Sequence, residues 1–183
     1  MNHSHNRQRG FSLTESAITL GIFAIVLGGI WVAVASVDHS QRVNDAYANM
    51  TMLVSNIQRL YRGTGKIGNT ANFTNDNMIK AGAVPASMVD ESGDIKSVWM
   101  TDITLSAPTS TEFKIEYKDL TEQNCRRLIS KVAGRDHNET LIEITANGNS
   151  FTSTGATDDI RGLLATDAKL AGCNKIELKF GLR

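Results

Sequence analysis

The sequence predicts an α+β protein: a long N-terminal helix with a membrane-spanning first half, its second half packed on an antiparallel β-sheet head that carries one disulfide. Three observations support this. Ser16 to Val37 contains no charged residue and is almost wholly apolar or small. From Val43 to Tyr61, apolar residues then recur in steps of three and four, the spacing of an amphipathic helix. Beyond Gly65, short stretches alternate apolar with polar residues, the period of half-buried strands.

The uncharged run is about 22 residues long, close to the ~20 that a helix needs to cross the hydrocarbon core. Past it, Val43, Tyr47, Met50, Val54, Ile57 and Tyr61 form one face, widened by Ala46, Leu53 and Leu60, and such a stripe seeks a core. No proline interrupts Phe11 to Arg62, and Gly63-Thr64-Gly65 supplies a stop. One helix over residues 11–62 is therefore expected, spanning a membrane at about residues 16–37 and roughly 75 Å long. Gly28-Gly29 is its weak point, each glycine costing about 1 kcal/mol relative to alanine, although small residues also allow close helix packing.

Residues 63–183 are expected to form the head. Ile103–Leu105, Phe113–Tyr117, Leu141–Thr145 and Ile176–Phe180 alternate as strands do, and Ser150–Thr154 is a shorter candidate after the turn residues Asn147-Gly148-Asn149. Glu122–Val132 reads as a helix behind a Thr121 cap, and Asp158–Ala171 as helical in places. Cys125 and Cys173 lie far from the apolar run. In an exported head they are expected to form a bridge, because an oxidising compartment favours one. Their spacing is not CxxC, so it suggests neither zinc nor a thioredoxin-like pair.

Composition argues against several functions. Lys+Arg and Asp+Glu are equal at 19 each, and nothing in that balance favours nucleic-acid binding. His3, His5, His39 and His137 have no metal-ligand spacing. Gly63-Thr64-Gly65-Lys66 is too short for a P-loop and is followed by Ile67, and no G-x-S-x-G elbow occurs. The triplets at Asn49, Asn72 and Asn138 fit N-glycosylation but are common by chance. Asp158-Asp159 reads as helix-start charge. No enzyme activity, catalytic residue, metal or cofactor is expected.

The N-terminus departs from an ordinary secretory signal. The apolar stretch is too long for one. Ahead of it stand Arg7-Gln8-Arg9-Gly10 and then Phe11-Ser12-Leu13-Thr14-Glu15. A carboxylate at the lip of a membrane helix costs about 2.5–3.5 kcal/mol if carried to the bilayer centre, whereas an acid in the first helical turn is favoured by the macrodipole. Arg9 to Glu15 resembles the class III signal of type IV prepilins. The resemblance implies cleavage by a prepilin peptidase after Gly10, N-methylation of the new N-terminus Phe11, and a role for Glu15 in assembly. It also implies a cytoplasmic leader over residues 1–10, in keeping with the positive-inside bias of Arg7 and Arg9.

Further stretches resemble type IVb pilins: Phe73–Ile79, Gly82–Met88, Phe113–Tyr117 followed by the Cys125 helix, Leu20-Gly21-Ile22, and the wide cysteine spacing. The ten-residue leader and the Phe11 start look more like type IVa. The implied protein is a pilus subunit that polymerises with itself through its N-terminal helix. Its implied partners are prepilin peptidase, inner-membrane pilus assembly machinery and the lipid bilayer before assembly. It would move from the inner membrane to an extracellular pilus serving adhesion, aggregation or conjugation. A minor pilin or a type II secretion pseudopilin would be built alike. From another class, a single-span membrane protein with a periplasmic ligand-binding domain also fits the segments.

Overall fold

The computed structural model describes residues 12–134, 140–152 and 170–182. The chain divides into two units, residues 1–40 and 41–183. Helix α1 (Leu13–Tyr61) starts in the first unit and ends in the second. The rest of the second unit comprises helix α2 (Asn75–Lys80), strands β1 (Ile103–Thr109) and β2 (Glu112–Tyr117), helix α3 (Glu122–Val132), and strands β3 (Leu141–Ala146), β4 (Asn149–Thr152) and β5 (Ile176–Gly181). Single 3₁₀ turns lie between α1 and α2 (Thr70–Asn72) and between α2 and β1 (Ala86–Met88).

Within the second unit, α1 buries the face that its periodicity predicts. Val43, Ala46, Met50, Leu53, Val54 and Ile57 are buried, and Tyr47 and Tyr61 pack partly against the core. Leu60 departs from the expectation and is 45% exposed. Three residues beyond Ile57, at about 100° each, it lies ~60° from the centre of the buried face, at its outer border. The helix ends at Tyr61, whose carbonyl accepts the Gly65 N–H at 2.8 Å. Gly65 has φ +61, a conformation that suits a residue without Cβ.

The five strands are ordered β1-β2-β5-β3-β4, and every neighbouring pair is antiparallel. The C-terminal strand is thus central, gripped by β2 on one side and β3 on the other. Phe113, Ile115 and Tyr117 of β2 and Ile176, Leu178 and Phe180 of β5 all point into the core. Their rings continue an aromatic series in which Tyr61 meets Phe73 at 6.1 Å, Phe73 meets Phe113 at 6.0 Å and Phe113 stacks on Phe180 at 5.6 Å. The β3–β4 hairpin turns on Asn147 (φ +49) and Gly148 (φ +77), the left-handed pair that a two-residue turn requires. β4 begins one residue before its expected start, and positions 153–154 of that expectation lie outside the described residues, as does Asp158–Ala171 up to residue 169.

Both short helices are set by their caps. The Thr74 hydroxyl caps α2 by accepting the Asn77 N–H, and Thr121 caps α3 in the same way at Asn124. Asn75, the first residue of α2, uses its side-chain amide as a strand would use its backbone. Its Nδ2 donates to the Ile103 carbonyl and its Oδ1 accepts the Leu105 N–H, each at 2.7 Å. The amide thereby satisfies part of the open edge of β1, an edge that would otherwise invite pairing.

The opposite face of the sheet is charged. Across β2 and β5, Lys114 stands opposite Lys179 and Glu116 opposite Glu177, and like charges placed so are unfavourable. Pairs of opposite charge, two of them diagonal across β2 and β5, relieve this. Lys114 reaches Glu177 at 2.9 Å, and Lys175 reaches Glu116 at 2.9 Å and Glu177 at 2.7 Å, while Lys179 pairs with Glu143 on β3 at 2.5 Å. The Lys179 hydrogen bond, followed by that of Ser150, holds the Glu143 carboxyl below the usual glutamate range. For Glu177, burial pushes upward, but hydrogen bonds from Lys175 and Lys114 outweigh it and the net direction is downward. Carboxylates depressed in this way stabilise the fold above their unfolded pKa, and the contribution is lost as pH falls through the folded value. The melting temperature of the chain in detergent micelles, followed by circular dichroism, should fall as pH drops from about 5 to about 3. Glu143→Gln should make that decline shallower. An acid limb that is the same in wild type, Glu143→Gln and Glu177→Gln would show that the ladder contributes nothing.

Candidate assembly site and the disulfide of the head

The first unit contains the start of α1. Its opening turn is secured by the Ser16 N–H donating to the Ser12 carbonyl at 3.1 Å, and the Thr19 hydroxyl donates to the Glu15 carbonyl at 2.7 Å. Glu15 lies in this first turn with its side chain exposed, where its charge suits the helix N-terminus. Gly10 and Phe11, the expected cleavage and methylation residues, lie outside the described residues.

Beyond Glu15 the surface is apolar on every side. Ile18, Leu20, Ile22, Phe23, Ile25, Val26, Leu27, Ile30 and Trp31 are all more than half exposed. Leu13–Trp31, 19 residues with none of them buried, is long and apolar enough to cross a membrane. A Cβ added at Gly21, Gly28 or Gly29 would meet nothing within 4 Å, so packing within this chain does not require those glycines. A helix apolar all round needs lipid or other helices to cover it.

In the second unit, Cys125 and Cys173 are joined, with their Cα atoms 6.0 Å apart and both residues in the core. The bond ties α3 to the segment leading into β5. Hydrogen bonds reinforce the tie. The Glu122 carboxylate accepts the Gly172 N–H at 2.8 Å and the Arg126 Nε–H at 2.9 Å, and the Leu120 N–H donates to the Asn174 carbonyl at 2.9 Å. The Gly172 N–H first, and Arg126 second, hold the Glu122 carboxyl below its usual range. Sequence reasoning placed Glu122 at a helix start but missed this contact. An acid at the first position of a helix was its only local sign. Among the described residues, no group of three His, Cys, Asp or Glu is placed to hold a metal ion.

Comparison with known proteins agrees with both units. Residues 5–31 match the family model described as the prokaryotic N-terminal methylation motif, and residues 40–177 match the PilS model, described as PilS N terminal. No curated protein matches the sequence. The fold is similar to that of TcpA, a type IV pilin from the El Tor biotype of Vibrio cholerae. The TM-score is 0.56 and the identity 14%, over 77% of this chain and 98% of that one. A type IV b pilin from Salmonella typhi aligns with a TM-score of 0.48 and 19% identity, over 75% of this chain and 97% of its own. An apolar N-terminal helix bearing a methylation motif, joined to a disulfide-bonded antiparallel sheet of this form, defines the class: a type IV pilin, a structural subunit with a membrane-anchored precursor. Within that class, the chain belongs to the PilS family.

Loss of the bridge should be costly. Cys125→Ser or Cys173→Ser should destabilise the head by about 2–5 kcal/mol, measurable by denaturant melts. Alkylation of exported protein with and without reductant checks the bond itself, and labelling of both thiols without reductant would exclude it.

Proposed function

We propose that this chain is the precursor of the subunit of a type IVb pilus. A prepilin peptidase cuts it between Gly10 and Phe11, Phe11 is methylated, and the mature chain polymerises with itself through α1. The observation that supports this most is the pairing of an uncovered apolar helix with a carboxylate in its first turn, both within the stretch that matches the methylation motif. The helix serves two environments in turn, the inner membrane before assembly and the core of an extracellular filament afterwards. In this reading residues 1–10 are the cytoplasmic leader, residues 11–62 the helix with its span at about 16–37, and residues 63–183 the pilin head. The IVb assignment rests on the stretches around Phe73–Met88 and Phe113–Tyr117 and on the wide span of the bridge. Delivery into the filament falls to inner-membrane pilus assembly machinery.

Glycine suits the position before the cut because a peptidase must bring its catalytic groups close to the backbone there. Gly10→Val should leave full-length precursor in the inner membrane, detected by N-terminal sequencing. Phe11 N-termini at wild-type yield in that variant would refute the cleavage site.

Glu15 has a separate task. After cleavage, Phe11 carries a basic α-amino group, and in a bundle of packed helices both that amine and Glu15 lie in apolar surroundings. A lone buried charge is expensive, and breaking a buried pair costs about 3–5 kcal/mol. The amine of a neighbouring subunit, or of the same one, neutralises the carboxylate only when the axial register is correct. Glu15→Gln should therefore preserve membrane insertion and the folded head while cutting the yield of sheared filaments at least about tenfold. Wild-type filament yield beside a wild-type level of membrane-bound monomer would reduce Glu15 to a helix-start residue. Filaments built from a different main band, with this chain as a trace component, would make it a minor pilin.

A further inference from the structure

The segment that carries Cys173 is held by more than its sulfur. The Asn147 Nδ2 donates to the Ala171 carbonyl at 3.0 Å, the Gly172 N–H donates to Glu122 at 2.8 Å, and the Asn174 carbonyl accepts the Leu120 N–H at 2.9 Å. These bonds come from the β3–β4 turn, the first residue of α3 and the loop before it, and they flank Cys173 on both sides. Gly172 has φ +67, a conformation open to glycine, and it aims its N–H at the carboxylate. Arg126, one turn along α3, fixes that carboxylate from the helix side at 2.9 Å. None of these contacts involves a sulfur atom, so all of them can form in the reduced chain.

We propose that Glu122 is a positioning residue for disulfide formation: it docks Gly172 before the bond exists and so presents Cys173 to Cys125. Cys125 is 0% exposed and Cys173 1%, so a thiol–disulfide oxidant reaches a sulfur only when the segment lifts. On lifting, the Cys173 thiol loses its proton, and its thiolate attacks the oxidant disulfide and expels one oxidant thiol. Reclosure onto Glu122 brings up Cys125, whose thiolate attacks the Cys173 sulfur and expels the second. Two protein thiols are oxidised, one oxidant disulfide is reduced to two thiols, and the two protons pass to the departing thiolates. The sheet already holds Ile176 to Tyr117, so the latch orders the short stretch ahead of that pair, which would otherwise have to be fixed at each reclosure. The proposal concerns the folding of the head and does not depend on polymerisation.

The test uses the full chain in detergent micelles, reduced and then equilibrated in glutathione buffers of graded ratio. Alkylation gives the fraction bridged, and from it the equilibrium constant for the bond. Glu122→Ala should lower that constant about fivefold, because a half-exposed carboxylate lies at the weak end of charged hydrogen bonds. Glu122→Gln keeps a carbonyl oxygen for Gly172 and should lower it about twofold. Glu143→Gln, which breaks an ion pair on the outer face of the sheet, should leave it unchanged. A wild-type constant in Glu122→Ala, or an equal fall in Glu143→Gln, overturns the proposal. Should Glu122→Ala fail to fold, the comparison of Glu122→Gln with Glu143→Gln decides.

Discussion

Docking of the one-sided stretch of α1 on the sheet is the interaction on which the head depends. Leu53, Val54 and Ile57 are completely buried, and each such side chain contributes about 1.5–3 kcal/mol by leaving water. The aromatic series from Tyr61 through Phe73 and Phe113 to Phe180 carries that contact from the end of the helix to the central strand. The two 3₁₀ turns, α2 and the Asn75 bracket on β1 then close the core along one edge of the sheet. α3 closes it elsewhere, burying Cys125, Leu128, Ile129 and Val132.

Among the described residues, the exposed apolar surface is concentrated in one place. In the second unit the outer sheet face is a lattice of lysines and glutamates, and Met52, Leu60 and Met100 are isolated exposed apolar residues of the kind any surface carries. In the first unit the large side chains from Ile18 to Trp31 are apolar and uncovered. Among the described residues, the helix carries the continuous apolar area that would be removed from water on association, and the head carries none of comparable extent. The salt bridges on that face matter for the same reason. They let a face with like charges placed opposite one another stay charged, hydrated and unattractive to a second sheet.

The disulfide and the hydrogen bonds around it serve the central strand. β5 is the last of the described strands and pairs on both sides with strands earlier in the chain, so its entry point has to be fixed. Cys173, Gly172 and Asn174 fix it against α3 and the loop before it, a few residues ahead of Ile176. The covalent and polar ties thus stand where the topology is least local.

The sequence alone determined the local features. The length of α1, the buried face from Val43 to Ile57, the Thr121 cap with its helix at Glu122–Val132, the Asn147-Gly148 turn and four of the strands all follow from periodicity, caps and turn residues, which act over a few residues. The methylation motif was legible because junction, acid and apolar run adjoin in the chain. The tertiary structure decided what depends on distant partners. The central place of β5, the exposure of Leu60 at the border of its helix face, the Asn75 amide on the edge of β1 and the Glu122–Gly172 latch have no sequence-local cause. Alternation tells a strand which face to bury but not which neighbour to take, and a carboxylate at a helix start does not reveal which backbone N–H will arrive beside it.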